Sequence, residues 1–287
     1  MYRRGYDTYR QYAEHRAWDQ CRELSFTDLL SLLHDKNAVL RYAAANRLKL
    51  EGDMSIVEHA IGLTSSKDYK LREIGAYILG AIKIPLKRKI REVMLRLGDL
   101  TLNDKSVRVR YSSIYSMGKR YWENFSEYDL IIPMLYASVN SPYSSIRMAV
   151  ACSLSKIVDE RIIPLLENLI HDSDQDIRDW TALSVQLSEQ DSPEIRNGLL
   201  AMVNNDKEMQ EARWEAISAL AQLRDERVIP ALKEELDIKK DRIDDDMIRA
   251  AANLGDSQFI PILEELMDNF DDDDGLIKLS IKQLKKR

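Results

Sequence analysis

Seven stretches of this chain repeat one spacing of polar, small and apolar residues. Each stretch begins at an anchor position, which is arginine in six copies and methionine in the last: Arg41, Arg72, Arg110, Arg147, Arg178, Arg213 and Met247. Small or apolar residues stand three and four positions after each anchor, and an apolar residue stands seven positions after it. These positions share one side of an α-helix, so each stretch predicts a helix with a buried stripe.

A more apolar segment lies between successive anchor stretches, and in four copies it has a proline near its start. The segments read IIPMLYASV, IIPLLENLI, VIPALKEEL and FIPILEELM, with the prolines at Pro133, Pro164, Pro230 and Pro261. Proline suits the first turn of a helix, where its missing N–H is no loss and its fixed φ is favourable. We therefore predict that each proline begins a helix and that each repeat is a pair of helices.

The anchors are 31 to 38 residues apart. A period of this length is typical of a solenoid, because a single helical pair cannot bury its own apolar face. The sequence thus predicts an all-α fold, a right-handed α-solenoid of about seven helical-hairpin repeats. We expect a capping helix in residues 1–25, the repeat array in residues 26–270, and a second capping helix in residues 271–287.

Aspartates precede several anchors and predict a structural role for the repeated arginine. Asp104 precedes Arg110, Asp174 precedes Arg178, and Asp206 precedes Arg213. Aspartate is a good N-cap, and an arginine beside it can bridge adjacent repeats. A catalytic arginine would not need six copies, so we expect these pairs to form a ladder along the array.

The charge is unevenly distributed. Residues 67–120 carry 14 Lys and Arg against 5 Asp and Glu, whereas residues 121–287 carry 19 against 34. One segment is therefore basic and the remainder strongly acidic, although the net charge is only −6. Segregated charge can steer an oppositely charged partner, and it can also act simply as a solubilising surface.

Motifs for catalysis or for metal binding are missing from the sequence. It has no glycine-rich phosphate loop, its four histidines never stand at i,i+4, and its two cysteines form no CxxC pair. The acidic runs DRIDDD (241–246) and FDDDDG (270–275) lack the ligand spacing of an EF-hand loop. We predict no catalytic residue, no metal and no cofactor.

The chain has no apolar stretch near the roughly 20 residues that a membrane span needs, and its first residues do not form a secretory signal. Cys21 and Cys152 lie far apart, each within a helical pattern, which indicates structural thiols in a reducing compartment. We therefore expect a cytoplasmic protein.

The repeats resemble HEAT repeats, in particular the short repeats of bilin-lyase-like proteins. REIGAYILGAI, ARWEAISALAQLRDERVIPAL and AANLGDSQFIPILEEL carry this resemblance. Together with LNDKSVRVR and the ending FDDDDGLIKLSIKQLKKR, they make the chain similar to the bacterial YibA-like family from about Cys21 onward. That resemblance implies a HEAT-repeat protein encoded beside Rhs elements and an immunity function against Rhs toxin domains.

Positions one, two and five after each anchor face away from the predicted core, on the side that HEAT arrays usually turn inward. The aromatic residues there are Tyr42, Tyr77, Tyr111, Tyr115, Trp180 and Trp214, and the acidic neighbours are Glu73, Asp179 and Glu215. Tyrosine and tryptophan are enriched in binding hot spots. We predict that these residues, with Asp244, Asp245 and Asp246, bind a partner; alternatively, the aromatic residues cover the edge of the core.

The resulting hypothesis is a non-catalytic immunity protein that binds a basic toxin domain through this face and through the acidic C-terminal repeats. Two alternatives remain: a HEAT-like enzyme, either a DNA glycosylase or a bilin lyase, and a general protein-binding scaffold. A nucleic-acid partner is not expected, because a groove along this array would run from basic into strongly acidic repeats.

Overall fold

The computed structural model describes residues 8–51, 54–121, 128–240, 242–270 and 275–286, and these residues are helical with no strand. This confirms the predicted all-α class. The chain divides into two compact units, Met1–Ser138 and Val139–Arg287. Each unit consists of helical hairpins in which anchor helices alternate with the more apolar helices.

The first unit contains the anchor helices of Arg41, Arg72 and Arg110. Its helices are α1 (Thr8–Cys21), α2 (Phe26–Leu32), α3 (Ala38–Glu51), α4 (Met54–Leu63), α5 (Tyr69–Leu79), α6 (Lys87–Asn103), α7 (Val107–Tyr121) and α8 (Tyr128–Ser138). The anchors lie on α3, α5 and α7. Helix α3 packs on α5 and α5 packs on α7, while α2, α4 and α6 pack on the anchor helices that follow them.

The second unit contains the remaining anchors on α9, α11, α13 and α15. Its helices are α9 (Ser144–Leu154), α10 (Ile163–Leu169), α11 (Gln175–Ser188), α12 (Pro193–Val203), α13 (Gln210–Gln222), α14 (Ile229–Glu235), α15 (Asp245–Leu254), α16 (Ile260–Asn269) and α17 (Leu276–Leu284). Helices α9, α11, α13, α15 and α17 pack on one another in that order.

The repeating apolar stripe forms the core of both units. The residues three, four and seven positions after every anchor are buried, as the spacing predicts. Small residues are needed at some of these positions because the helices approach closely. A Cβ atom on Gly75 would lie 2.7 Å from the carbonyl oxygen of Ala60 on the preceding helix.

Three of the four prolines lie where the sequence predicts them. Pro164, Pro230 and Pro261 occupy the first turn of α10, α14 and α16, each after a short 3-10 turn whose leading aspartate caps it. The prediction for Pro133 is wrong, because α8 begins at Tyr128 and has this proline inside the helix. The residue five positions before Pro133 is Tyr128, which is already helical, whereas an aspartate stands at that distance before each of the other three prolines.

The arginine ladder exists, but its register differs from the prediction. Arg72 pairs with Asp104 in the turn of the next repeat, at 2.6 Å between Nε and Oδ2. Arg147 pairs with Asp172 at 2.6 Å, and Arg178 pairs with Glu208, rather than with an aspartate ahead of itself, also at 2.6 Å.

The three pairs share one geometry, because each guanidinium group also donates to the turn that precedes its own anchor helix. The NH1 group of Arg72 donates to the carbonyl oxygen of Ser66, that of Arg147 to Ser141 and that of Arg178 to Asp172. Each arginine therefore joins the turn of its own repeat to the turn of the next. Asp174, expected in the ladder, instead caps α11 through the backbone N–H of Asp176.

The two ends of the chain are only partly described. Helix α1 packs on α3, and α17 packs on α15 and α16. Residues 1–7, 271–274 and 287 lie outside the described residues, so the predicted capping roles of residues 1–25 and 271–287 stay predictions. The last anchor, Met247, is fully buried.

Cys21 and Cys152 are both buried. Burial raises the pKa of the Cys21 thiol, and the charge of Arg47 opposes this effect. A raised pKa keeps the thiol protonated and unreactive. Among the described helices, none combines the length and the apolar character that crossing a bilayer requires.

Candidate partner-binding site

The predicted site residues of the first unit lie on the adjacent helices α3, α5 and α7. Tyr42, Tyr77 and Tyr111 are half-buried, and Tyr115 is 38% exposed. We call these four residues the tyrosine face. Their positions one and five residues after the anchors place them at the rim of the core, where one side of each ring can stay accessible.

Glu73 does not lie on the surface as predicted, because it is buried to 5% exposure. Its Oε1 accepts a hydrogen bond from the Tyr42 hydroxyl at 2.8 Å and another from NH2 of Arg108 at 3.0 Å. Burial and the charge of Glu73 raise the pKa of Tyr42. Glu73 therefore fixes the tyrosine instead of offering a surface charge.

Tyr77 is the central residue of the tyrosine face. Its hydroxyl donates to Oδ1 of Asn46 at 2.8 Å, and its ring meets that of Tyr42 edge to face, with centroids 4.8 Å apart. The Nζ atom of Lys49 lies 3.9 Å from the centroid of the Tyr77 ring. A ring held at its hydroxyl, edge and face loses little further freedom when a partner binds.

Tyr111 and Tyr115 form a second aromatic pair on α7. Their rings are nearly parallel, at 5°, with centroids 6.1 Å apart. This spacing follows directly from the sequence, because residues four apart on a helix are neighbours. All four predicted tyrosines thus belong to aromatic pairs.

Sequence reasoning missed Asn46, Lys49 and Arg108, which complete the tyrosine face. Asn46 and Lys49 stand five and eight positions after Arg41, so the same helical register that identified Tyr77 points to them. The register alone does not single them out, because neither residue is aromatic or acidic. Burial and, to a smaller extent, the charge of Lys119 lower the pKa of Lys49 to about 8.

The predicted residues of the second unit are less uniform. Trp180, Trp214 and Glu215 are half-buried on α11 and α13. Asp179, predicted to be a surface acid, is buried to 4% exposure. Helix α11 is packed by α9 on one side and by α13 on the other, so the position beside its anchor is covered. We call Trp180 and Trp214 the tryptophan face.

Trp214 is held in place by a buried carboxylate. Its Nε1 donates to Oε2 of Glu235 at 3.0 Å, and Nζ of Lys240 donates to the same oxygen at 2.6 Å. Glu235 is only 4% exposed and also accepts from Arg213. Burial alone would raise the pKa of Glu235, but the hydrogen bonds from Lys240 and Trp214 and the charge of Arg213 lower it.

The predicted acidic cluster Asp244, Asp245 and Asp246 is partly structural. Asp244 caps α15 by accepting from the backbone N–H of Asp246 at 3.0 Å. Asp246 is half-buried, and burial and the charges of Asp244 and Asp245 raise its pKa. Asp245 is exposed. Asp241 and residues 271–274 of the other acidic run lie outside the described residues.

One cavity of about 300 Å³ lies on the first unit, away from all the predicted residues. Arg72, Arg96, Asp99 and Asp104 line it together with Thr64 and its neighbours. The charged groups satisfy one another: Arg96 binds Thr64 and Asp99, and Arg72 binds Asp104. No group of three or more metal-binding side chains occurs among the described residues.

Comparison with known proteins assigns the repeat type. The PBS lyase HEAT-like repeat family matches residues 212–237. This segment covers most of α13 and all of α14, including Arg213, Trp214 and Glu235. The charged cluster around Trp214 therefore lies inside a recognised HEAT-like repeat.

The protein YibA of Escherichia coli (strain K12) is 36% identical to this chain over 273 residues, which cover 95% of both proteins. The chain belongs to the YibA family. The X-ray structure of E. coli YibA superposes on the whole chain with a TM-score of 0.79 and 34% identity, and all of that structure is covered. The family relationship thus holds for both sequence and fold.

More distant structures share only the fold with this YibA-family chain. The complex of CpcE and CpcF of phycocyanin lyase from Nostoc sp. PCC7120 matches with a TM-score of 0.50 and 17% identity, covering 92% of this chain and 95% of that one. An engineered protein matches with a TM-score of 0.59 and 16% identity, covering 96% and 82%. These similarities support the helical-repeat architecture.

Proposed function

We propose that this YibA-family chain is a non-catalytic immunity protein that binds and neutralises a cognate Rhs-type toxin domain in the cytoplasm. The observation that carries the proposal is the fixed orientation of aromatic side chains at the rim of the anchor helices. Trp214 is held by Glu235, and Tyr42 and Tyr77 are held by Glu73 and Asn46. The identity of the partner rests on the YibA-like resemblance.

Fixed aromatic residues suit tight binding. Tryptophan and tyrosine dominate binding hot spots because they bury large areas with few rotatable bonds. Ordering a side chain on association costs about 0.5–1.5 kcal/mol, and a side chain already held by hydrogen bonds avoids most of that cost. The tyrosine and tryptophan faces therefore support a protein-binding function better than a catalytic one.

The acidic excess of residues 121–287 supports a basic partner surface. These residues carry 15 more acidic than basic side chains, from 34 Asp and Glu against 19 Lys and Arg. Such a field accelerates association with a basic partner and disfavours acidic competitors. Asp245 and the half-buried Glu215 are the predicted residues that would contribute to this contact.

The test is binding between the purified chain and the toxin domain encoded beside its gene, measured by calorimetry. The double variant Trp180→Ala with Trp214→Ala is expected to weaken binding at least 100-fold while the chain stays folded by circular dichroism. The matched control, Phe26→Ala with Tyr69→Ala, removes two aromatic residues of 37% and 38% exposure outside the predicted site. We expect this control to leave affinity within threefold of wild type.

Unchanged affinity in the tryptophan double variant would remove the tryptophan face from the binding site. An absence of binding by the wild-type chain would reject the toxin as partner and leave a general scaffold. Turnover of alkylated DNA, or attachment of a bilin to its apoprotein, would instead establish an enzyme.

A further inference from the structure

Two lysines converge on the tyrosine face from neighbouring helices. Lys49 lies near the end of α3, and its Nζ atom is 3.9 Å from the ring centroid of Tyr77 on α5. Lys119 lies in the last turn of α7, which packs on the other side of α5. Lys119 is close enough for its charge to act on Lys49.

Neither lysine has an ion pair or a hydrogen bond with any residue that the structure describes. Other lysines of the chain differ from them: Lys89 binds Glu58 and Glu92, and Lys240 binds Glu235. The pKa of Lys89 is raised by these contacts, whereas that of Lys49 is lowered by burial and by Lys119 to about 8. Among the described residues, a half-buried cation and a second cation therefore lie near each other without a counter-ion.

The contact with Tyr77 does not replace a counter-ion. The aromatic ring attracts a cation without carrying a full negative charge, and burial lowers the pKa of Lys49. Glu14 on α1 and Tyr115 on α7 also act on Tyr77, and Tyr42, with its partner Glu73, lies against the Tyr77 ring. The folded chain thus holds Lys49 in a position that an anion would stabilise.

We propose that Lys49 and Lys119, with the ring of Tyr77, bind an acidic side chain of the partner protein. The inference rests on the proposed function in that the partner is the toxin domain. It adds that the toxin carries an exposed Asp or Glu, which this unit recognises, besides its basic surface. The basic segment 67–120, with 14 Lys and Arg against 5 Asp and Glu, is complementary in charge to such a residue.

A carboxylate fits this position better than a nucleic-acid backbone. Double-stranded DNA carries one negative charge for every 1.7 Å or so of its axis, and such a series of charges would extend beyond the two lysines towards Glu14, whose charge acts on Tyr77. A single carboxylate requires only one compact cationic position. The tyrosine face offers one such position.

The first experiment uses a hexaglutamate peptide as the probe and follows the Lys49 side chain by NMR between pH 6 and 11. We expect saturating hexaglutamate to raise the pKa of Lys49 by at least one unit, because a bound carboxylate favours the charged form. Binding at pH 8 should therefore take up protons, which calorimetry in buffers of different ionisation enthalpy detects. A purely structural lysine would show neither effect.

Three variants localise the binding. Lys49→Gln and Lys119→Gln should each weaken hexaglutamate binding at least fivefold and remove the proton uptake or reduce it. The matched control is Lys105→Gln, an exposed lysine of the same basic segment, and it should change affinity less than twofold. Lys49→Gln should keep its melting temperature, since it removes a half-buried charge.

Three outcomes would overturn the proposal. They are an unchanged Lys49 pKa in hexaglutamate, an equal effect of Lys105→Gln, and tighter binding of a decathymidylate oligonucleotide through the same two lysines.

Binding of the toxin domain to the same variants distinguishes a failure of this proposal from a failure of the proposed function. If the toxin binds wild type and the Lys49→Gln, Lys119→Gln double variant equally, the function stands and the carboxylate site fails. If only hexaglutamate binds, the site stands and the toxin is the wrong partner.

Discussion

Arg72 and Asp104 form a bidentate ion pair between consecutive repeats, with Nε to Oδ2 at 2.6 Å and NH2 to Oδ1 at 2.9 Å. Arg147 and Asp172 repeat this geometry at 2.6 and 2.9 Å. Paired N–H groups that face a carboxylate give the strongest and most directional ion pairs. This contact fixes the orientation of one hairpin on the next, and no single hairpin could supply it.

The first prediction concerns the stability that this pair provides. Arg72→Met should lower the free energy of unfolding by about 3 kcal/mol, because it leaves the buried Asp104 carboxylate without its cation. Adding Asp104→Leu should restore part of the loss. The measurement is urea denaturation followed by circular dichroism.

A matched control for Arg72→Met is Arg161→Met, which breaks the more exposed pair between Arg161 and Asp159. Surface pairs contribute about 0–1 kcal/mol. If Arg72→Met were as mild as this control, the ladder would have no energetic role.

The second prediction concerns the stability of the fold at low pH. Burial alone would raise the pKa of Asp104 and of Asp172, but hydrogen bonds from Arg72 and Arg147 outweigh it and lower both values. Between the lowered pKa values and the ordinary aspartate pKa, the unfolded chain binds more protons than the folded chain, so stability rises with pH. The contribution should be complete above the ordinary aspartate pKa, near pH 4, and be lost as the pH falls further.

Thermal melts between pH 2 and 6 test this dependence. The double variant Asp104→Asn with Asp172→Asn should be less stable at pH 6 and should lose less on acidification than wild type. An equal loss in both proteins would mean that other carboxylates govern the acid transition.

The third prediction separates Glu235 from its neighbour Glu234. Glu235→Gln should destabilise the chain by about 2 kcal/mol, because hydrogen bonds to charged groups contribute about 1.5–3 kcal/mol each and the buried carboxylate accepts several. It should also change the tryptophan fluorescence, since Trp214 donates to this side chain. Glu234→Gln, at a side chain that is 65% exposed, should do neither. Equal effects would show that Trp214 does not depend on Glu235.

The fourth prediction compares two glycines on helices α4 and α5. Gly75→Ala should destabilise the chain by about 1–3 kcal/mol, as overpacking typically does, because its Cβ would lie 2.7 Å from the Ala60 carbonyl oxygen. Gly62→Ala meets nothing within 4 Å and should stabilise the helix by up to about 1 kcal/mol. Chemical denaturation of the two variants measures both changes in the free energy of unfolding. A gain in stability from Gly75→Ala would contradict the close packing.

The helices and their buried stripe could be predicted because they depend on local spacing. The anchor Arg41 and the apolar residue Leu48 are on one helix. The period of the repeats follows directly from the spacing of the anchors in the sequence. Pro133 was misplaced because the same local pattern, IIP, occurs at the start of α10 and inside α8. What distinguishes them is the residue five positions before the proline: Asp159 caps a 3-10 turn ahead of Pro164, whereas Tyr128 is already part of α8.

The details of the candidate site could be predicted only in part. Helical register correctly identified Tyr42, Tyr77 and Tyr115 as rim residues, but it also assigned the buried Glu73 to the surface. Glu73 pairs there with Arg108, which is 35 residues away in sequence, so local spacing does not show the contact. The predicted partners of the ladder arginines were wrong because the packing of one repeat on the next decides which repeat supplies the carboxylate. That packing is not local in sequence.

The direction of the ladder has a consequence for synthesis on the ribosome. Three anchor arginines emerge before their carboxylates: Arg72 is 32 residues ahead of Asp104, Arg147 is 25 ahead of Asp172 and Arg178 is 30 ahead of Glu208. At about 5–20 residues per second, each of these three hairpins waits roughly one to six seconds for the residue that fixes it. During that time the nascent chain carries an arginine without its carboxylate, and a pause within the turn prolongs the life of that unfinished surface.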